Sequence, residues 1–231
     1  MTNPATIDIQ DGVATITLDD GKANAFGFAM LDALDTCLTE AIEGSEVIVL
    51  TGRPGIMCAG FDLKVMREAP DQAGDMVRKG GEFLLRLFSA PQPVLIASTG
   101  HGIAAGGLLM LAADYRIGVA GETRYGLNES AIGMVLPPYG MSLARFKLDN
   151  RALDKAVVGA ELFLPEQAND VGYLDEVVAE ADFAARVAEK VAYFKELDSA
   201  AYAGNKKYIR GALIKEIRAD LDAGLGMNVS G

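Results

Sequence analysis

Apolar and polar positions alternate at the start of the chain: Ile7 and Ile9, then Ala14, Ile16 and Leu18, around Asp11-Gly12. A period of two broken by an Asp-Gly pair predicts a β-hairpin. From Gly27 the period lengthens, and Met30, Leu31, Leu34, Leu38, Ala41 and Ile42 recur at helical spacing before the apolar run Val47 to Leu50. That reads as a helix followed by a buried strand. The helix-then-strand pattern recurs after the loop TGRPGIMCAG, with Met76, Val77, Phe83, Leu84, Leu87 and Phe88 at helical spacing and PVLIAS at 93–98 as the next strand. GHGIAAGGLLMLAA then leads into DYRIGVA, a further strand. Helix and buried strand in alternation predict an α/β fold with a mostly parallel sheet.

Beyond Pro138 strand signals nearly vanish, and Ala144 to Lys155, Pro165 to Val171, Phe183 to Phe194 and Ser199 to Asp222 all carry helical periodicity. A soft boundary falls between about 175 and 182, dividing a core (1–178) from a helical C-terminal region (179–231). No Gly/Ser or Pro-rich linker marks it, so this region is expected to pack on the core or on a neighbouring subunit.

Half of the 231 residues are apolar, enough to bury a substantial core. The net charge of -11 argues against nucleic-acid binding, which calls for a concentrated basic surface. The two cysteines, Cys37 and Cys58, have neither CxxC spacing nor a histidine companion, so neither a disulfide framework nor a metal site is expected. The start, MTNPATIDIQDG, lacks a basic segment followed by an apolar one, and no apolar run is long enough for a bilayer, so a cytoplasmic protein without membrane contact is expected.

GHGIAA fits the letters of a dinucleotide fingerprint through Gly100, Gly102 and Ala105. The acidic ribose partner of that fold closes the second strand, whereas Asp114 would open it, which disfavours the reading. The same small residues at a loop-to-helix junction also suit a backbone trap for an oxyanion, and CAGFDL at 58–63 supplies a second such loop. Glu129, in RYGLNESAIGMVLPP, sits among apolar residues with no histidine, cysteine or second acid beside it. Such surroundings raise a carboxyl pKa by disfavouring its charged form. Capping a helix, or pairing with Arg124 at the surface, is the structural reading.

Together, RPGIMCAGFDLKVM, STGHGIAAGGLLMLAADYRIG and RYGLNESAIGMVLPP resemble, in order and spacing, the three site motifs of the crotonase (enoyl-CoA hydratase/isomerase) superfamily, over roughly residues 10–180. The resemblance implies a crotonase-like superhelix of strand-strand-helix repeats with a helical C-terminal region, packing as a homotrimer or dimer of trimers. It implies an acyl-CoA thioester as substrate and no cofactor, coenzyme A being part of the substrate, and no metal. Matched without gaps, the backbone oxyanion donors are Phe61 and Ala105, and the catalytic carboxylate is Glu129. Ala59, Asp62, Leu63, Lys64, Gly106 and Leu108 fall at substrate or CoA positions, Lys64 as a phosphate partner beside Lys22, Arg53 and Arg67. Leu108 stands where hydratases carry a second glutamate. One carboxylate suffices to move a double bond from the 3 to the 2 position, so the resemblance points to a Δ3,Δ2-enoyl-CoA isomerase in fatty-acid metabolism. A hydratase and a non-catalytic acyl-CoA-binding protein are the alternatives. His101, the only histidine, is expected to make a structural hydrogen bond, and Met66, Met76, Met110 and Met134 to line the core or an acyl pocket.

Overall fold

The computed structural model describes residues 3–224. Strands β1 (Ala5–Gln10) and β2 (Val13–Leu18) form the hairpin, with Ala5 opposite Leu18 and Gln10 opposite Val13. Asp11 and Gly12 both take positive φ, 49° and 76°, the left-handed pair that a twisted two-residue turn demands. Helix α1 (Phe28–Gly44) lays Leu31, Leu34, Leu38 and Ala41 on the sheet, as its period predicts.

Strand β3 (Val47–Gly52) then pairs parallel to β2. Its alternation divides two cores: Ile48 and Leu50 enter the large one, whereas Val47 and Val49 face a smaller one with Leu95, Ala97 and Ile117. Helices cover both faces, and for that reason the central strands read as continuous apolar runs.

After β3 the chain folds back on itself into β4 (Gly55–Cys58), then α2 (Leu63–Glu68) and α3 (Pro70–Ser89). The same step recurs as β5 (Val94–Ser98), β6 (Gly100–Ile103) and α4 (Ala105–Ala112). A third pass gives β7 (Tyr115–Val119), β8 (Tyr125–Gly126) and, after a 3-10 turn at Glu129–Ile132, α5 (Pro138–Lys147). These are three strand-strand-helix units. The first strand of each joins the large sheet and the second joins a small parallel sheet ordered β4-β6-β8.

The expectation of a loop over TGRPGIMCAG misses β4. The strand is short and its pairing relies on backbone contact closer than any side chain permits: a β-carbon on Gly52 would stand 2.2 Å from the Ile56 carbonyl oxygen, and one on Gly100 1.9 Å from the Ile56 nitrogen. The helix expected over 144–155 instead begins at Pro138 and ends at Lys147, with Leu148 extended. Pro137-Pro138 supplies the start, since proline suits the first helical turn.

Helix α6 (Pro165–Val171) precedes β9 (Glu176–Val178), which completes the large sheet in the order β1-β2-β3-β5-β7-β9. Helix α7 (Glu180–Lys195) caps the smaller core with Phe183, Val187, Val191 and Phe194, and α8 (Ser199–Asp222) inserts Ile217 and Leu221 into the larger one. Helices α7 and α8 form the helical C-terminal region that follows β9. Its last residues, 225–231, lie outside the described residues. No helix among the described residues is long and apolar enough to cross a membrane.

Candidate active site

The three parallel strands of the small sheet end side by side, and each exit loop carries one of the motif segments: Ala59 to Phe61 after β4, Ala104 and Ala105 after β6, Leu127 to Glu129 after β8. Ligands of parallel sheets gather at such carboxyl ends.

In the first loop Phe26 N–H donates to the Gly60 carbonyl at 2.8 Å, and Asp62 N–H donates to the Phe26 carbonyl at 3.3 Å. Both flanking groups of Phe61 are thus spent on Phe26, so the Phe61 N–H points to the opposite edge. In the second loop Ala104 adopts φ 53° and ψ -117°, a conformation costly for any residue with a β-carbon. Its N–H donates to the Gly126 carbonyl at 2.9 Å, tying this loop to the third. Ala105 is the first residue of α4, where an N–H has no intrahelical acceptor. A β-carbon on Gly60 would lie 3.1 Å from Ala104 Cβ and 3.9 Å from the Ala105 nitrogen, so the two loops are adjacent.

Glu129 opens the 3-10 turn that Gly133 closes at φ 75°. It is 7% exposed, and its Oε2 is buried without a hydrogen-bond partner. Burial pushes its carboxyl from 4.5 up to about 7, against a smaller downward pull from its own backbone N–H. Among the described residues Glu129 makes no ion pair with Arg124, whose backbone N–H donates to His101 Nδ1 at 2.9 Å, the structural hydrogen bond expected of that histidine.

A cavity of about 90 Å³ joins these loops. Ala59, Gly60, Phe61, Ala104 and Glu129 line its polar end, and Leu63, Met66, Val77, Met134 and Pro137 its apolar walls. Ile132 and the largely exposed Val135 stand at its mouth. Among the described residues Asn128 is the one other polar side chain of the lining, and its Oδ1 is buried without a partner.

Other expected residues lie elsewhere. Gly106 and Leu108 are buried beneath the site: a β-carbon on Gly106 would meet the Cys58 carbonyl oxygen at 2.0 Å, and Leu108 packs where a β-carbon on Gly140 would come within 3.2 Å of its Cδ1. The Asp62 carboxylate caps α2, accepting from Lys64 N–H at 2.8 Å. Lys64 itself is 77% exposed and reaches Glu68 at 3.8 Å, and Arg53 Nε donates to the Lys22 carbonyl at 2.9 Å. Cys58 is buried with its thiol pushed up to about 12. Met66 and Met134 reach the cavity while Met76 and Met110 stay in the core. Sequence periodicity placed Val77 only on a buried helix face, and nothing in that pattern distinguishes a cavity wall from a core residue. Asp114 is engaged by Lys206 at 2.6 Å and is closed to a ribose, against the dinucleotide reading.

Residues 8–228 match the enoyl-CoA hydratase/isomerase family. The crystal structure of an enoyl-CoA hydratase/isomerase family protein from Pseudomonas syringae superposes with a TM-score of 0.92 at 36% identity, covering 95% of this chain and 96% of that one. A probable enoyl-CoA hydratase of Rhodobacter capsulatus is 32% identical over 93% of this chain and 84% of its own length. The human mitochondrial enoyl-CoA delta isomerase 1 is 29% identical over 94% of this chain and 73% of its length. The family match spans most of the chain and the fold agrees with that of the solved family member, and the chain belongs to the enoyl-CoA hydratase/isomerase family.

Proposed function

We propose that the protein converts 3-enoyl-CoA thioesters to 2-trans-enoyl-CoA by a single-glutamate proton shuttle, within fatty-acid metabolism. The observation that carries this reading is that Glu129 is the one carboxylate lining the cavity among the described residues, while Leu108, where the resemblance to hydratases puts a second acid, is apolar and fully buried.

The acyl chain lies along Leu63, Met66, Val77 and Met134, with the thioester carbonyl toward the Phe61 and Ala105 N–H groups. The Glu129 carboxylate takes a proton from C2. The electrons of that C–H bond form the C1–C2 double bond and move charge onto the thioester oxygen, giving a dienolate. The protonated Glu129 then delivers the proton to C4, the double bond settles between C2 and C3, and the oxygen regains its carbonyl. Each well-aimed donor contributes roughly 3 kcal/mol to the transition state, and a positioned base about 10² to 10⁴ in rate. A carboxyl with a pKa of about 7 is matched to both halves of the shuttle. No cofactor enters these steps.

The unpartnered Asn128 Oδ1 supports a second reading, a hydratase in which this oxygen helps hold the attacking water. Offering the purified protein and Glu129→Gln a 3-enoyl-CoA and, separately, a 2-enoyl-CoA separates the readings. Conversion of the first substrate alone, lost in the variant, is the expected result. Hydration of the second would establish the hydratase, and tight binding without turnover would leave an acyl-CoA-binding protein.

A further inference from the structure

Helix α3 carries glycine at position 80, although glycine inside a helix is less favourable than alanine. The reason lies in its contacts. A β-carbon there would stand 2.5 Å from Cε1 and 2.7 Å from Cζ of Phe61, distances no packed carbon tolerates. The Phe61 ring therefore rests on the bare backbone of α3. On another side it meets Phe26 edge to face at 6.1 Å, and Phe26 in turn meets Phe83 of the same helix at 5.9 Å. Phe26 also holds the main chain on both sides of Phe61. The next glycine, Gly81, serves a different approach, toward Leu221 and Tyr139, while Gly74 on the same helix has nothing within 4 Å of its β-position.

We propose that Gly80 is a positioning residue for the oxyanion donor: by leaving out a side chain it seats the Phe61 ring on α3 and thereby fixes the direction of the Phe61 N–H. The inference rests on the enolate chemistry proposed above. Two anchors, the Phe26 main chain and the α3 surface, then define one orientation of residue 61. A β-carbon at position 80 must displace the tip of the ring, and the part of that displacement which rotation of the Phe61 side chain does not absorb turns the main chain about the Phe26 hydrogen bonds, where a shift of the order of 1 Å costs about 10²-fold in rate.

The test is kinetic, on the full chain with a 3-enoyl-CoA substrate, with exchange of the C2 proton of a saturated acyl-CoA in deuterium oxide as a second readout. Gly80→Ala is expected to lower kcat by about 10- to 100-fold with KM within about threefold of wild type and the pH midpoint unmoved. Gly74→Ala, the same substitution in open space on the same helix, is expected to leave both constants alone. Phe61→Leu keeps every backbone group but lacks the ring atoms that touch Gly80, so it is expected to lower kcat by itself about tenfold or more, and adding Gly80→Ala to it to cost less than about threefold further. A Gly80→Ala protein with wild-type kcat, or one that loses the same factor in both backgrounds, would overturn the proposal. Should Gly80→Ala fail to fold, Phe61→Leu decides, and a kcat within about threefold of wild type overturns it. An inert wild type, without isomerisation or exchange, refutes the isomerase reading and this proposal together, whereas an active wild type indifferent to position 80 refutes this proposal alone.

Discussion

Lys206 Nζ donates to Asp114 Oδ2 at 2.6 Å, joining the last helix to the residue that precedes β7. The other oxygen of Asp114 takes Arg210 Nη2 at 2.5 Å, and Oδ2 also accepts from the Val94 N–H at 2.7 Å. All three side chains are less than 10% exposed. Burial draws the Lys206 ammonium down to about 8 in spite of Asp114, which pulls the other way. Such a group is costly to assemble and costlier to break. Asp114→Asn leaves two buried cations without a counter-charge and is expected to lower unfolding free energy by about 3–5 kcal/mol, measured by urea denaturation. Hydrogen exchange should show residues 199–222 losing protection first.

Glu129→Gln removes the one carboxylate that lines the cavity among the described residues while nearly preserving side-chain volume. Turnover of a 3-enoyl-CoA is expected to fall by about 10² to 10⁴ with little change in KM. In the wild type, kcat/KM is expected to rise with pH and level off above about 7, because in the proposed shuttle Glu129 must be ionised before it can take a proton. A rate-pH profile with its midpoint near 4.5 would show that burial does not govern this carboxyl.

The same carboxyl couples stability to pH. Its folded pKa, about 7, lies above its ordinary 4.5, so the folded state binds the proton more tightly. The stability contributed by the neutral form is complete below 4.5 and is lost as pH rises through 7, a change of about 3 kcal/mol. Glu129→Gln is therefore expected to match wild type near pH 4 and to exceed its unfolding free energy by up to about 3 kcal/mol at pH 8. Denaturant curves at the two pH values measure the difference, and equal values at pH 8 would contradict it.

Periodicity made the large sheet legible, since Ile48, Leu50, Val94 and Ile96 must leave water on one face while Val47, Val49 and Leu95 do so on the other. It could not show the small sheet, whose pairing depends on side chains that are missing at Gly52 and Gly100. The loops at Phe61, Ala105 and Glu129 were visible through their motifs, but the apolar wall at Val77 was not. Lys64 illustrates the reverse: its neighbours in sequence line the cavity, yet its own side chain leaves the site because the helix begun at Leu63 turns it toward Glu68.

Helix α4 reaches the site only because position 106 has no side chain. A β-carbon there would stand 2.0 Å from the Cys58 carbonyl oxygen and 2.8 Å from its carbonyl carbon, both backbone atoms that cannot rotate away. Gly106→Ala must therefore separate the start of α4 from the end of β4 by about 1 Å or more, given that real contacts of this kind lie beyond 3.0 Å. Ala105 sits one residue before this contact and Phe61 three residues after Cys58, so the separation moves the two N–H groups apart. Turnover is expected to fall at least about 10²-fold, with a stability loss of about 1–3 kcal/mol from overpacking. Gly204→Ala in α8, where nothing lies within 4 Å, provides the contrast and is expected to gain about 0.5–1 kcal/mol with unchanged kcat. Paired urea denaturation and steady-state kinetics on the two variants check both halves, and a Gly106→Ala protein with wild-type turnover would show that the two loops need not lie this close.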